Sequence, residues 1–449
     1  MSLHVLSLND HTLMVGNENG ILARSQGSVV ESGGDVQFGD EATARSRLYP
    51  VTFNNRFWHE LGMEPLSRSI GQFRHHADMA HAHLLHLAQQ AGLDTSDPVE
   101  TLVLVPGTFD RTQLGTLLGI MQHSPFRPVA LVDAGVMAGA VALEAASGAH
   151  VDMHLHQMVV TGLLQEEDRI QQQSAVAVPG LGWHQLEASL AALVTDAFIR
   201  QARFNPQHDA RWEQHLHDSL PQWLQQAPGE DDNLVMVLEE EGVRHQARLT
   251  RSALEHRLQS LYRRLFESTT LEPGAALVLA ERCATLPGLR QSLREGLAGS
   301  ESSGAVQDEQ LLETGLSLSG QLRQRDGSAL KFIRSVTLPR RQRTAPQREA
   351  GPRATHVLSG NEAWPLAAWP FLCRAEDGAI VPARQTPGDE SLLGEIRLQG
   401  GHFNLYAGSA ALLLNGEPCE DGRSLHSGDR LHMNTEGRPA LQLIRVHDG

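Results

Sequence analysis

Four polar residues near the middle of the chain alternate with other residues and carry side chains that suit metal binding. They stand at every second position: His150, Asp152, His154 and His156. On a β-strand, side chains two residues apart point to the same face, so one strand would present all four together. Imidazoles with a carboxylate can bind zinc or another divalent metal. The spacing would therefore suit a metal site, which we keep as an alternative to the favoured interpretation, a polar cleft wall. The chain's 23 histidines make chance clustering common.

The elements that must position these residues alternate between strands and helices. Residues 101–106 (TLVLVP) form a short, continuous apolar run, as expected of a strand buried on both faces. An amphipathic helix is predicted at 111–122, a second buried strand at 129–132, a helix of small residues at 136–146 and an alternating strand at 150–161. Strands and helices that alternate with short connections indicate a parallel-sheet α/β unit.

Short motifs occur in a characteristic order over residues 1–295. They are Val105-Pro106 before a helix start with Arg111 and Gln113, Asp152 after an alanine-rich helix, Leu181-Gly182-Trp183, Thr250-Arg251 with Leu254-Glu255, and Leu286-Pro287. This order resembles the heat-shock-protein-70 branch of the actin-like ATPases. The resemblance implies a duplicated α/β fold with a central cleft. Hairpins followed by alternating strands and helices do occur twice in the sequence, as that duplication requires.

The three loops that would hold ATP in such a protein have lost the residues that phosphate binding needs. Such loops are rich in glycine and threonine, because backbone amides approach phosphate only where side chains leave room. In the first loop Asn9 replaces the glycine, and Asp10 would repel a phosphate. The second loop keeps Asp152 but has no glycine and contains His154. Glu281-Arg282 replaces the glycine pair of the adenosine loop.

The remaining catalytic groups implied by the resemblance are also altered. Asp133 corresponds to the family's glutamate beside the attacking water and is one methylene shorter. The chain has a single lysine, Lys331, so neither a Walker A loop nor the family's lysine near the γ-phosphate is present. Each lost transition-state donor costs about 3–4 kcal/mol, so hydrolysis by this route should be essentially abolished. The nucleotide-loop positions are Asn9, Asp10, Asp133, Asp152, His154, Glu281 and Arg282.

Composition separates the rest of the chain from this segment. Residues 297–354 are predicted to be a linker, rich first in small residues and later in proline and arginine, with a hairpin at 316–336. Residues 355–449 read as short strands between turns, which predicts a small β-sandwich. Its end, with Asn415-Gly416 and Gly428-Asp429, resembles the closing strands of a forkhead-associated domain. The phosphate-reading elements of that family are not recognisable, so the resemblance supports the fold rather than phosphopeptide binding.

Charge and hydropathy narrow the class of partner. A net charge of −16 argues against nucleic acid, because phosphate binding needs concentrated positive charge. The sequence has neither a run of eighteen apolar residues nor a basic start followed by an apolar stretch, so neither a membrane span nor a secretory signal is predicted. Three separated cysteines do not suit a disulfide framework and indicate a reducing compartment. We therefore expect a soluble cytoplasmic protein.

The sequence as a whole predicts an α/β protein with a duplicated actin-like ATPase fold at 1–296 and a smaller C-terminal all-β domain. The first hypothesis for its function is a pseudo-ATPase that acts as a chaperone-like, scaffold or regulatory protein through protein partners or clients. It requires no cofactor, although ATP or ADP could still bind. One alternative is an ATP-binding chaperone with divergent loops. Another is a metal-binding protein, with zinc, at the histidine-rich strand.

Overall fold

A computed structural model describes most of the chain. The described residues are 3–226, 232–268, 275–296, 302–324, 330–338, 354–359, 362–375, 379–385, 391–399, 402–407, 412–414, 417–418, 423–433 and 441–446. They fall into two compact units, Met1–Arg340 and Arg341–Gly449. Helices and strands are mixed in the first unit, which confirms the predicted α/β class. Within the described ranges, every helix is too short or too polar to cross a bilayer.

The first unit is built from strands and helices that alternate along the chain. Its described strands are β1 (His4–Ser7), β2 (Leu13–Asn17), β3 (Gly20–Ser25), β4 (Val29–Ser32), β5 (Asp35–Phe38), β6 (Phe53–Asn54), β7 (Pro65–Ile70), β8 (Phe73–His75), β9 (Val99–Val105), β10 (Phe126–Asp133), β11 (Ser147–Met153), β12 (Gln157–Glu166), β13 (Arg169–Pro179), β14 (Asn233–Glu240), β15 (Val243–Thr250), β16 (Ala276–Ala280), β17 (Ser302–Val306), β18 (Phe332–Ile333) and β19 (Ser335–Thr337). Its described helices are α1 (Gly39–Thr43), α2 (His76–Gln90), α3 (Arg111–Met121), α4 (Ala134–Ala142), α5 (Trp183–Ala202), α6 (Ala210–Gln225), α7 (Arg251–Ser268), α8 (Glu281–Ala284), α9 (Leu289–Gly296) and α10 (Asp308–Leu322), with a 3-10 turn at Pro206–His208.

Two six-stranded sheets form the frame of this unit and share an arrangement of five strands. Their orders are β18-β10-β9-β1-β2-β3 and β17-β16-β11-β12-β13-β19. In the first sheet β1 is antiparallel to β2 and parallel to β9, which is parallel to β10. In the second sheet β11 is antiparallel to β12 and parallel to β16, which is parallel to β17. Each sheet thus combines a three-stranded meander with parallel strands, in the same order and direction.

Two helices lie between the sheets, and each of them follows a strand of one sheet but packs on the other sheet. Helix α4 leaves β10 of the first sheet and packs on β11, β12 and β13 of the second. Helix α10 leaves β17 of the second sheet and packs on β1, β2 and β3 of the first, and the two helices touch each other. A Cβ at Gly135 of α4 would lie 2.4 Å from the Thr161 hydroxyl of β12. The small residues of α4 therefore allow it to approach the second sheet closely.

Strand β9 explains why the parallel strands have continuous apolar sequences. Leu102 and Leu104 pack into the core between the two sheets. Val103 and Val105 point the other way and pack with residues of α2 and α3. A strand buried on both faces needs apolar residues at every position. Each such side chain contributes about 1.5–3 kcal/mol through its burial.

The predicted linker at 297–354 is corrected by the structure, because folded elements of the first unit occupy 302–337. Strand β17 pairs with β16, and β18 and β19 are edge strands of the two sheets. The predicted hairpin at 316–336 is replaced by the second half of α10 followed by these edge strands. Gly315 of α10 packs closely on the first sheet, since a Cβ there would lie 3.1 Å from Leu102. The proline- and arginine-rich residues 339–353 lie outside the described residues.

The second unit has two antiparallel sheets that share one apolar core. Its described strands are β20 (His356–Ser359), β21 (Glu362–Pro365), β22 (Phe371–Arg374), β23 (Ile380–Ala383), β24 (Leu392–Gln399), β25 (His402–Ala407), β26 (Leu412–Leu414), β27 (Glu417–Pro418), β28 (Arg423–Ser424), β29 (Arg430–Met433) and β30 (Leu441–Ile444). The sheet orders are β21-β20-β30-β29-β26-β27 and β23-β22-β24-β25-β28. Gly428 takes a positive φ of 98° in the turn before β29, as the sequence predicts for a turn there. Asn415-Gly416 lies outside the described residues.

Candidate functional site

The connection between β1 and β2 meets the end of β11 and the connection that follows it, so residues of the two sheets bond directly. Asn9 donates from Nδ2 to Asp152 Oδ2 at 2.9 Å and to the Met153 carbonyl at 3.1 Å. The Asn9 Oδ1 accepts from the backbone N–H of His11 at 2.9 Å, which fixes the orientation of the amide. Asn9 is 3% exposed, so these bonds form away from bulk water.

Asp10 makes a second link between the same two connections. Its Oδ1 accepts from the backbone N–H of Leu155 at 2.8 Å and lies 3.1 Å from His154 Nδ1. Burial alone would raise the pKa of Asp10, but the hydrogen bond and charge of His154 and the Leu155 amide lower it below the ordinary value. A buried carboxylate with these donors stays ionised and contributes to stability.

Arg282, the second residue of α8, extends these links to α10 and β3. Its Nη1 lies 3.3 Å from Asp152 Oδ1, and its Nη2 donates to Asp308 Oδ1 at 2.9 Å. Arg24 of β3 lies 3.6 Å from the other oxygen of Asp308. We name the following six residues the floor network: Asn9, Asp10, Asp152, His154, Arg282 and Asp308.

The space left within the floor network is small. A cavity bounded by Asn9, Asp152, His154, Arg282 and Asp308, among others, has a volume of about 20 Å³. A single water molecule needs roughly 10–15 Å³ of such space. This cavity therefore holds about one water. A second cavity of about 110 Å³ lies on the other side of Asp10 and His154, next to Pro106 and Gln157.

The four residues predicted to share one strand face are separated by a turn. Strand β11 ends at Met153, so His154 and His156 lie in the connection to β12. His154 bonds to Asp10, whereas His156 Nε2 lies 3.0 Å from Asn55 Oδ1. Within the described residues, no three or more His, Cys, Asp or Glu side chains form a group that could hold a metal. The one-face prediction is thus corrected, because the alternation stops where the hairpin turns.

Buried imidazoles surround the floor network and are held neutral. Burial lowers the pKa of His150, which is 4% exposed, to about 4. Burial likewise lowers the pKa of His11 and of His156 to about 4. The His11 ring also packs edge-on against Trp183, with ring centroids 5.7 Å apart.

Asp133 lies outside the floor network and begins a helix. Its Oδ1 accepts from the backbone N–H groups of Gly135 and Val136 at the start of α4. Its Oδ2 is buried and has no hydrogen-bond partner within the described residues. Burial raises the pKa of Asp133 to about 6. Asp133, one of the seven nucleotide-loop positions, is thus the N-terminal cap of α4.

A larger cavity adjoins the floor network. It has a volume of about 640 Å³ and lies between β1–β3 and α1 of the first half and α5, α6 and α8 of the second. Glu281 lines this cavity, whereas its neighbour Arg282 also belongs to the floor network. We name this space the side cavity. Its lining residues are His11, Thr12, Arg24, Gln26, Asp40, Thr43, Ala44, Ser46, Met153, Trp183, Glu187, Gln214, His217, Asp218, Pro221, Leu224, Gln225, Glu281, Arg282, Thr285, Leu286 and Asp308.

Sequence reasoning missed two residues of this region. Asp308 is the first residue of α10 and was assigned to the linker. Arg24 bonds to Glu309, 285 positions away in the sequence, at 2.7 Å. An acidic residue at a helix start is a recognisable signal, so Asp308-Glu309 could have marked the beginning of α10.

Compared with known proteins, the chain matches no family model and no curated sequence.

Proposed function

We propose that the first unit is a heat-shock-protein-70-like pseudo-ATPase that works as a chaperone-like, scaffold or regulatory body for protein partners. The shared strand order of its two sheets supports a duplicated actin-like fold. The exchanged helices α4 and α10 support it further, because they relate the two halves reciprocally. The order of motifs along the first 295 residues, on which the resemblance rests, agrees with this arrangement.

The observation that carries the proposal is the bonding of Asn9 to the end of β11 and of Asp10 to the connection that follows it. In an actin-like ATPase, these two regions hold the phosphates between them. Here they bond to each other through Asn9–Asp152 and Asp10–Leu155, at 2.9 and 2.8 Å. The side chains replace the ligand as the link between the halves. A nucleotide would have to break these bonds and introduce its negative charge beside Asp10 and Asp152.

The second unit fits a role in contacts with protein. Its two antiparallel sheets support the forkhead-associated-like sandwich that the sequence resembles. The phosphate-reading elements of that family are not recognisable, so phosphopeptide recognition is left out of the proposal. With a net charge of −16, we expect protein partners rather than nucleic acid or anionic membranes. The three separated cysteines favour a cytoplasmic location.

Thermal shift combined with a turnover assay tests this proposal on the full chain. A ligand at 100 times its Kd stabilises the folded state by about 2.7 kcal/mol, so millimolar ATP would reveal even moderate binding. We expect no rise in Tm with Mg·ATP or Mg·ADP and no Mg-dependent hydrolysis. A saturable rise or turnover that is lost in Asp152→Asn would overturn the proposal. Zinc is measured in parallel, and a rise with zinc alone would favour the metal-binding alternative.

The size of the side cavity favours one second candidate, an ATP-binding chaperone with divergent loops. A volume of about 640 Å³ lies within the usual range for small-molecule sites. Glu281, at the position of the adenosine loop, lines this cavity. On this account the nucleoside would sit in the side cavity while the floor network rearranges for the phosphates. Titration with adenosine and with ATP separates the two accounts, because only the second candidate predicts tighter binding of ATP.

A further inference from the structure

The side cavity is lined by both apolar and charged side chains. Trp183 at the start of α5, Leu224 of α6 and Leu286 after α8 supply much of the apolar wall. Its volume of about 640 Å³ is suited to a small organic molecule. An indole ring also attracts cations through the negative face of its π-system.

Acidic groups outnumber basic ones around the side cavity. The carboxylates that line it are Asp40, Glu187, Asp218, Glu281 and Asp308, and the guanidinium groups are Arg24 and Arg282. Five carboxylates against two guanidinium groups leave an excess of three negative charges among these residues. A cavity of this sign repels a phosphate or carboxylate ligand and concentrates cations.

The two lining arginines are already neutralised. Arg24 bonds to Glu309 at 2.7 Å and lies 3.6 Å from Asp308. Arg282 lies within 3.3 Å of carboxylate oxygens of Asp152 and Asp308. Each arginine thus faces two carboxylates, and neither is available to balance an anionic ligand.

The lining carboxylates differ in whether they are paired. Glu187 is 3.1 Å from His217 Nδ1 and 3.8 Å from Arg47. Asp40 and Glu281 have no ion pair within the described residues, and both are exposed residues that line the cavity. Two carboxylates without a counter-ion in a cavity that also has apolar lining residues are suited to receive a cationic group.

We propose that the side cavity binds an organic cation with an aliphatic body, of the alkylamine or alkylguanidine class. The cation is placed at Asp40 and Glu281, and the aliphatic part lies against Trp183 and Leu286. This inference rests on the proposed function, in which no nucleotide binds. A nucleotide is anionic, whereas the ligand assigned to the side cavity is cationic.

Isothermal titration calorimetry of the full chain with agmatine tests the inference, and AMP is the matched anionic probe. We expect saturable one-to-one binding of agmatine that weakens several-fold between about 50 and 300 mM salt, as screening of exposed charges requires. The double variant Asp40→Asn/Glu281→Gln should bind agmatine about tenfold more weakly, since two attractive charges are removed.

The control is Glu41→Gln, which removes a carboxylate next to Asp40 in the same helix but does not line the cavity. We expect it to leave agmatine affinity within twofold of the parent. Absence of agmatine binding, or equal weakening in the control and the double variant, would overturn the inference. Binding of AMP would instead overturn the proposed function, so the two failures are distinguishable.

Discussion

The floor network and the side cavity are neighbours in the first unit, and they differ in whether their carboxylates are paired. In the floor network the carboxylates have donors within about 3.3 Å, and the cavity among Asn9, Asp152 and Arg282 has a volume of only about 20 Å³. In the side cavity Asp40 and Glu281 have no counter-ion within the described residues, and about 640 Å³ stays open. Paired charges link residues of the two sheets in the floor network. Unpaired charges beside open space are the reason we propose a ligand for the side cavity.

The largest expected effect comes from removing the cation of the floor network. Arg282→Met keeps much of the side-chain volume but leaves Asp152 and Asp308 without their shared guanidinium. Breaking a buried ion pair by removing one partner costs about 3–5 kcal/mol. We expect a loss of this size in the free energy of unfolding, measured with urea.

Arg211→Met is the matched control for this variant. Arg211 pairs with Glu241, but the two side chains are 66% and 77% exposed, so the pair should contribute less than about 1 kcal/mol. Equal losses in the two variants would mean that the floor network contributes no more than a surface pair.

Acid should destabilise the protein through the buried imidazoles. His150 binds a proton with a pKa of about 4 in the folded state and 6.5 in the unfolded state. Between these values the unfolded state holds more protons, so stability falls as the pH falls from about 6.5 to 4. The loss at the lower end is about 3 kcal/mol for His150. We expect His150→Gln to flatten the dependence of the unfolding free energy on pH in this window. If the unfolding free energy of His150→Gln depended on pH as steeply as that of the parent, the lowered pKa of His150 would be contradicted.

The packing of α4 against the second sheet gives a smaller effect. In Gly135→Ala the new methyl group would lie within 2.4 Å of the Thr161 hydroxyl, so we expect a loss of about 1–3 kcal/mol. Gly115→Ala in α3 is the control, because its Cβ meets nothing within 4 Å. Replacing glycine in an open helix position should stabilise by about 0.5–1 kcal/mol. Thermal unfolding of both variants gives the comparison, and a loss in both would argue against close packing of α4.

Elements with strong local signals were predictable from the sequence. Helix α3 was expected at 111–122 and is found at Arg111–Met121. Its start is set by Asp110, which accepts from the backbone N–H of Gln113. The parallel strands β9 and β10 were also expected, because their continuous apolar runs reflect burial on both faces. Helix α10 was missed, because residues 297–354 were predicted to be a linker with a hairpin at 316–336.

The sequence predicted most residues of the floor network, but it did not predict which of them bond to each other. The resemblance assigned Asn9, Asp10 and Asp152 to the same nucleotide site, and in the structure these side chains lie in one region. It could not reveal Asp308 as the partner of Arg282, because that pair depends on how α10 packs in the folded chain. The shared face of the histidines also depended on where β11 ends, which alternation alone does not specify.

The central claim is that side chains rather than nucleotide hold the two halves of the first unit together, and a distance measurement tests it most directly. Spin labels at Asp35→Cys in β5 and Arg244→Cys in β15 report on opposite halves at exposed positions, with the native cysteines replaced. Electron–electron double resonance should give the same narrow distance distribution with and without Mg·ATP, and a broader one in Asp10→Ala. A distribution that shifts or narrows when Mg·ATP is added would contradict the account.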